Sequence, residues 1–280
     1  MADTVTATVA EALAESTGPA TPATHDGGRA PAVVRVPGVV GTAQVEGVLL
    51  DIDETLVDLE GAMDRALREV SAPLLPGLVE AEWVTFCRIF TRGSDDIYER
   101  YMAHEITFAE QRVLRAERCL AHFGTGFASD AQAAQWLSEY ETAQPSYVRA
   151  FDDVHPFLDA LEAAGIAYGA VSNNVHDYQR AKLDVAGLER ISVLVGIDAV
   201  GVAKPDPAIF REGLRRLGTA AEQTVYVGDN PAHDVVGAAG AGIRGIWLNR
   251  RSTVLDPAAA LLVPEQVASL GEIPGILGLL

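Results

Sequence analysis

An apolar run that ends in a cluster of carboxylates constrains this chain more than any other feature. In VEGVLLDIDETLVD, residues 45–58, the run Val48-Leu49-Leu50 meets Asp51, Ile52, Asp53 and Glu54. The nearly continuous apolar stretch VEGVLLDID suits a central strand of a parallel sheet, where both faces are covered. Three carboxylates within four residues at a dry strand end repel one another and lose hydration. They require a cation, a proton or water beside them.

The rest of the chain supplies the context. After residue 150, helix-like and strand-like segments alternate. HPFLDALEAAG is a helix stopped by Gly165. IAYGAVSNN is a strand, DYQRAKLDVAGL a helix and ISVLVGID a strand. DPAIFREGLRRLG is a helix with Pro207 near its start. TVYVGDN is a strand, AHDVVGAAGAG a helix and IRGIWLN a strand. This rhythm predicts an α/β fold, a Rossmann-like parallel sheet with helices on both faces. Between the first strand and this alternation lie four segments with helical spacing: GAMDRALREVSAPLL, EAEWVTFCRIFTRG, TFAEQRVLRAERCLAHFG and DAQAAQWLSEYETA. They predict an inserted α-helical cap domain over residues 60–147. Its aromatics Trp83, Phe86, Phe90, Tyr98, Tyr101, Trp136 and Tyr140 sit at helical intervals and are expected mostly in its core. Residues 45–59 and 148–280 then form the Rossmann-like catalytic core. Residues 1–44 are rich in Ala, Thr, Pro and Gly and lack aromatics. Such a segment buries too little to offset its ordering entropy, so a disordered extension is expected, with at most a short helix over about 4–15.

The 39 acidic residues against 21 basic ones leave a formal net charge of -18. That field repels phosphate backbones and anionic lipid surfaces, so neither nucleic acid nor membrane is an expected partner. A small phosphorylated substrate stays compatible, because one local lysine and a metal ion outweigh a diffuse surface charge. Cys87 and Cys119 show no disulfide or metal-ligand spacing and are read as reduced thiols. No apolar run reaches membrane-spanning length and no secretory leader pattern opens the chain, so a cytoplasmic protein is expected.

The strand ends hold the candidate chemistry. The first ends in Asp51 and Asp53, the second in Ser172, Asn173 and Asn174, a later one in Gly228, Asp229 and Asn230. Lys204, in GVAKPDPAIF, directly precedes a helix. Open parallel sheets bind ligands beyond the carboxyl ends of their strands, so these sites converge on one edge. Phosphoryl transfer through an aspartyl intermediate fits the set. Asp51, the backbone carbonyl of Asp53 and Asp229 are hard oxygen ligands suited to Mg2+. Asp53 lies two residues after Asp51, on the same side of an extended chain, where it can pass a proton to a leaving alcohol and take one from water. The Ser172 hydroxyl and the Asn173 amide can donate to a phosphate, and Lys204 supplies a point charge.

DIDET, VSNN, GVAKPDPAIF and GDNPAHD occur in this order. With their α/β spacing they make the chain resemble the haloacid dehalogenase superfamily over about residues 45–255, specifically its phosphatase branch with a helical cap inserted after the first motif. The resemblance implies Asp51 as nucleophile, Asp53 as acid/base, Ser172 and Lys204 as phosphate binders, and Asp229 as a Mg2+ ligand. Asp234 matches a second acid that supports the metal, and Thr55 is expected to brace the loop. Glu54 stands where many members have Gly, and His233 where Asn, Asp or Glu is frequent; neither receives a role. Plainer readings stand beside these: Ser172 and Asn173 as a helix N-cap, Lys204 as a solvated loop lysine, Asp234 as a first-turn acid.

The expected function is a Mg2+-dependent phosphomonoesterase acting on a small phosphorylated metabolite: a sugar phosphate, a phosphoglycolate-like acid or a nucleoside monophosphate. Alternatives are a phosphomutase of the same superfamily and a non-catalytic binding protein on the same scaffold. Dehalogenase relatives generally lack an acid at the position of Asp53, which speaks against that chemistry.

Overall fold

The four residues of β1 (Gly47–Leu50), GVLL, are all buried, as a strand covered on both faces must be. In the computed structural model, which describes residues 44–103 and 105–279 without the side chains of Asp95, Tyr98 and Met102, this strand lies inside a six-stranded sheet. The expectations for residues 1–43 and for the Tyr98 side chain lie outside the described residues. The other strands are β2 (Ala167–Val171), β3 (Val193–Val195), β4 (Thr224–Gly228), β5 (Arg244–Leu248) and β6 (Gln266–Val267). Their order is β3-β2-β1-β4-β5-β6, and every pairing is parallel. The α/β parallel fold expected from the alternation is therefore present. β6 was not anticipated: it pairs only Gln266 with Trp247 and Val267 with Leu248, too short a run to carry a period-2 signal.

The chain divides into two compact units. One is Asp58–Arg149; the other joins the described residues through Val57 with those from Ala150 onward.

In the α/β unit the helices are bounded by residues that suit their ends. The helix Pro207–Leu217 is capped by Asp206, whose carboxylate accepts from the Ala208 amide, and starts on Pro207. It stops at Gly218, whose φ of 79° is in the left-handed region. Its face packs Ile209 and Phe210 onto Leu49, Val171, Val195 and Tyr226, with the Phe210 and Tyr226 rings edge to face at 5.0 Å. The helix after β4 opens as a π-helical segment, Pro231–Val236, and continues as a short α-helix, Gly237–Gly240. The Asn230 side chain accepts from the Ala232 and His233 amides at this start.

The Asp58–Arg149 unit holds α-helices Leu59–Ser71, Glu80–Arg92, Asp95–Met102, Phe108–His122 and Asp130–Ser146. Asp95–Met102, eight residues long, falls between the four helical segments picked out in the sequence, within the stretch expected to be helical. Phe86, Phe90, Trp136 and Tyr140 are buried together, with Trp136 stacked on Tyr140 at 5.3 Å. The Trp136 indole N–H donates to Ser71 Oγ at 3.0 Å, which satisfies the one polar atom this ring brings inside. Cys87 and Cys119 are free thiols in the same core.

Candidate active site

Strand connections reverse direction at β1, where β2 lies on one side and β4 on the other. A crevice forms beyond the carboxyl ends at such a switch point. The chain there turns tightly: the Leu56 and Val57 amides both donate to the Ile52 carbonyl, and the Glu54 amide donates to the Val57 carbonyl. The turn places Glu54 at φ 63°, a left-handed conformation that glycine adopts most easily. Here the conformation is occupied by a glutamate whose carboxylate pairs with Arg251.

The loop presents Asp51, which is buried. Its Oδ1 accepts from Lys204 Nζ at 2.5 Å, while the Thr55 hydroxyl lies 3.5 Å from Oδ2, too far for a strong hydrogen bond. Lys204 Nζ also reaches Asp234 Oδ1 at 2.7 Å and the Tyr226 hydroxyl at 3.1 Å. Lys204 is buried, so the solvated-lysine reading does not hold. Burial opposes its charge, but Asp234 and Asp51 outweigh that and hold the ammonium well above the usual lysine range. Asn173 sets the backbone of this residue. Its Oδ1 accepts from the Lys204 amide at 2.6 Å, and its Nδ2 donates to the Lys204 carbonyl at 3.0 Å. The Asn173 side chain is thus committed to Lys204, separately from the backbone amide expected to meet phosphate.

Asp234 is buried and ties two elements together. Its Oδ2 accepts from the Asn230 amide at 2.9 Å, and its Oδ1 holds Lys204. Gly228 leaves the room for it: a Cβ there would lie 2.3 Å from Asp234 Oδ2. The plain reading of Asp234 as a first-turn acid therefore captures only part of its surroundings.

Asp51, Asp229 and Asp234 offer carboxylate oxygens within 4.8 Å of one another. Burial pushes the Asp51 carboxyl up to about 7, with Lys204 opposing and Asp234 and Asp53 adding. Burial, followed by Asp51, Asp234 and Glu54, pushes Asp229 up to about 8. Three crowded carboxylates against one ammonium make an electrostatic deficit that a divalent cation would cancel. Hard oxygens of this kind suit Mg2+. Both oxygens of Asp234 already accept hydrogen bonds. The Asp229 carboxylate and Asp51 Oδ2 are the less engaged donors.

Asp53 faces other partners. Lys182 Nζ lies 2.6 Å from its Oδ1 and Gln179 Nε2 lies 3.1 Å from its Oδ2. Gln179 Nε2 also donates to Ser172 Oγ at 2.6 Å. Lys182 and Gln179 belong to the helix His176–Val185, whose N-cap is Val175 and not Ser172 or Asn173. The structure thus groups Asp51, Thr55, Lys204 and Asp234, places Asp229 beside them, and joins Asp53 to Ser172 through Gln179.

The sequence reading missed Tyr226, Gln179, Lys182 and Arg250. Tyr226 is hidden in an apolar strand, and nothing in TVYVG marks its hydroxyl. Arg250 donates to the Thr55 carbonyl at 2.9 Å and pairs with Asp153 at 2.8 Å, a long-range link without a local pattern. Gln179 and Lys182 did carry a signal: two polar residues three apart share a helix face. That helix directly follows the Ser172 strand end.

The sequence model of the haloacid dehalogenase-like hydrolases matches residues 45–242. The chain belongs to this family. A phosphoglycolate phosphatase from Rhodospirillum rubrum is 30% identical over 238 residues, covering 81% of this chain and 90% of its own. A glyceraldehyde 3-phosphate phosphatase from Methanopyrus kandleri is 27% identical over 207 residues, 74% of this chain and 84% of its own. A phosphoserine phosphatase from Thermus thermophilus is 41% identical over 111 residues, which are 39% of this chain and only 45% of that relative. Among solved structures, a magnesium-bound HAD-hydrolase from Bacillus subtilis superposes with a TM-score of 0.66 at 20% identity, over 84% of this chain and 99% of the other. The L-2-haloacid dehalogenase of Xanthobacter autotrophicus shares the fold at a TM-score of 0.59 and 18% identity, over 84% of this chain and 98% of the other. This haloacid dehalogenase-like hydrolase thus has the fold of both phosphatases and dehalogenases, and the residues at its strand ends must separate the two. Among the described residues, no helix is long and apolar enough to cross a membrane.

Proposed function

We propose that this hydrolase is a Mg2+-dependent phosphomonoesterase that works through an aspartyl phosphate on Asp51. The observation that carries the reading is the separate anchoring of two acids two residues apart. Asp51 is held by Lys204 on one oxygen, whereas Asp53 is held by Lys182 and Gln179. In this reading one carboxylate attacks and the other gives a proton to an alkoxide leaving group, which a departing halide would not need.

In this reading Asp51 and Asp229 hold the cation with the Asp53 carbonyl, and Asp234 supports them through Lys204. Bound Mg2+ supplies Lewis-acid charge at the phosphoryl oxygens. An Asp51 carboxylate oxygen forms a bond to phosphorus as the ester P–O bond breaks, and Asp53, in its protonated form, gives its proton to the departing alkoxide. Ser172 and the Asn173 amide donate to the phosphoryl oxygens, and Lys204 offsets their charge. Water then attacks the same phosphorus, Asp53 takes its proton, and the P–O bond to Asp51 breaks to release inorganic phosphate. The phosphatases named above support a small phosphorylated metabolite as substrate.

The test is phosphate release from a panel of phosphorylated acids, sugar phosphates and nucleoside monophosphates, with Mg2+ and with EDTA. Metal-dependent release supports the reading. An isomerised phosphate ester in place of free phosphate would convert it to a mutase, and no turnover of any compound would overturn it.

A further inference from the structure

A single buried amide joins two parts of the site that the chemistry uses at different atoms. Gln179 is fully buried, and its Nε2 donates both to Ser172 Oγ at 2.6 Å and to Asp53 Oδ2 at 3.1 Å. Its Oε1 is buried with no hydrogen-bond partner among the described residues. An orphaned acceptor is costly, but turning the amide around would set Oε1 against the Asp53 carboxylate, which only accepts; the Ser172 hydroxyl could pair with either orientation, so Asp53 fixes the one seen. The side chain is held by what its N–H groups do. Ser172 receives a hydrogen bond from Gln179, so its own O–H proton is directed elsewhere, toward an acceptor such as a phosphoryl oxygen. One turn along the same helix face, Lys182 Nζ grips the other oxygen of Asp53 at 2.6 Å, with the Tyr178 ring 4.8 Å away on the helix. Lys182 is buried, while Asp53 is partly open to solvent.

We infer that Gln179 and Lys182 are positioning residues that lock the Asp53 carboxylate and the Ser172 hydroxyl in a fixed relation, so that proton delivery to the leaving alcohol and phosphoryl binding are set by one helix. The inference rests on the phosphomonoesterase reading. Lys182 and Gln179 hold the two Asp53 oxygens between them and act through that carboxylate. Their loss is felt through Asp53, most strongly where the leaving group needs a proton.

The test uses the full chain with Mg2+ and two substrates, p-nitrophenyl phosphate with a good leaving group and phenyl phosphate with a poor one. Lys182→Met is expected to lower kcat on phenyl phosphate by about 10²-fold, the scale of a lost general acid–base contribution, with KM little changed. The loss on p-nitrophenyl phosphate is expected to be at least tenfold smaller, and Lys182→Arg is expected to recover most of the rate. In an Asp53→Asn background, Lys182→Met should cost nothing further. Equal losses on both substrates, or a full additional loss in the Asp53→Asn background, would make Lys182 a packing residue and overturn the inference. Unchanged kinetics in Lys182→Met beside an active wild type would overturn the inference alone. No hydrolysis of either ester by the wild type would instead remove the phosphatase reading, and the inference with it.

Discussion

The Lys204 ammonium sits 2.7 Å from the Asp234 carboxylate and 2.5 Å from that of Asp51, with all three groups buried. The lysine therefore bridges the first strand end to the helix after β4. Removing one partner of a buried pair leaves an uncompensated charge, at a cost of about 3–5 kcal/mol. Asp234→Ala is expected to lose stability toward the lower end of that scale by denaturant unfolding and to lose most activity, because Lys204 then keeps only the Asp51 carboxylate and the Tyr226 hydroxyl. A stability change under ~1 kcal/mol would contradict the bridge.

Gly228→Ala attacks the same bridge from the strand. Its Cβ would lie 2.3 Å from Asp234 Oδ2, and strand backbone cannot give way cheaply. Overpacking of this kind costs about 1–3 kcal/mol. The variant is expected to be destabilised by that amount and to bind Mg2+ less tightly, as read by calorimetric titration. Wild-type stability and Mg2+ affinity would show that Asp234 can move without consequence.

The raised carboxyls at Asp51, about 7, and Asp229, about 8, give the metal-free protein a defined pH response. Both lie above the unfolded value of about 3.9, so the folded state binds more protons than the unfolded one between these limits. Their contribution to stability is complete below about pH 4 and is lost as pH rises through 7 and 8. In EDTA, the melting temperature should fall more steeply over this range than in Asp229→Asn. With Mg2+ the sign reverses: binding displaces protons, so the stabilisation by Mg2+ should grow from about pH 6 to about pH 8.5. A metal-induced shift independent of pH would contradict the assignment.

Glu54 separates backbone strain from chemistry. Its left-handed backbone costs a non-glycine residue about 1–2 kcal/mol. Glu54→Gly removes that cost, adds ~0.5–1 kcal/mol of chain entropy and gives up the pairing with Arg251, worth under ~1 kcal/mol. The net change in stability is expected to stay within about 1 kcal/mol. Glu54→Val keeps the strain, adds a β-branch and should be clearly destabilised. Equal stability of the two variants would show that the turn is not strained at this position.

The sheet was legible because parallel strands and the helices between them write long, unbroken patterns, and the four strand-end motifs follow from them. What escaped lacks local pattern. β6 is two residues long. The contacts of Tyr226, Arg250 and Gln179 join segments far apart in sequence. Asp51, Ser172, Lys204 and Asp234 were singled out as candidates from the chain, and the structure brings Asp51, Lys204 and Asp234 into contact. That Asn173 brackets the Lys204 backbone, and that Ser172 is joined to Asp53 through an amide, are consequences of packing that spacing does not encode.

The central claim is that the Asp51 carboxylate is the attacking group. The most direct measurement is the rate of p-nitrophenyl phosphate hydrolysis with Mg2+ by the wild type and by Asp51→Asn, with equal folding shown by circular dichroism. The account predicts a loss of at least ~10³-fold in the variant, as expected when a covalent nucleophile is removed. A variant that keeps its rate within tenfold would show that hydrolysis does not pass through Asp51.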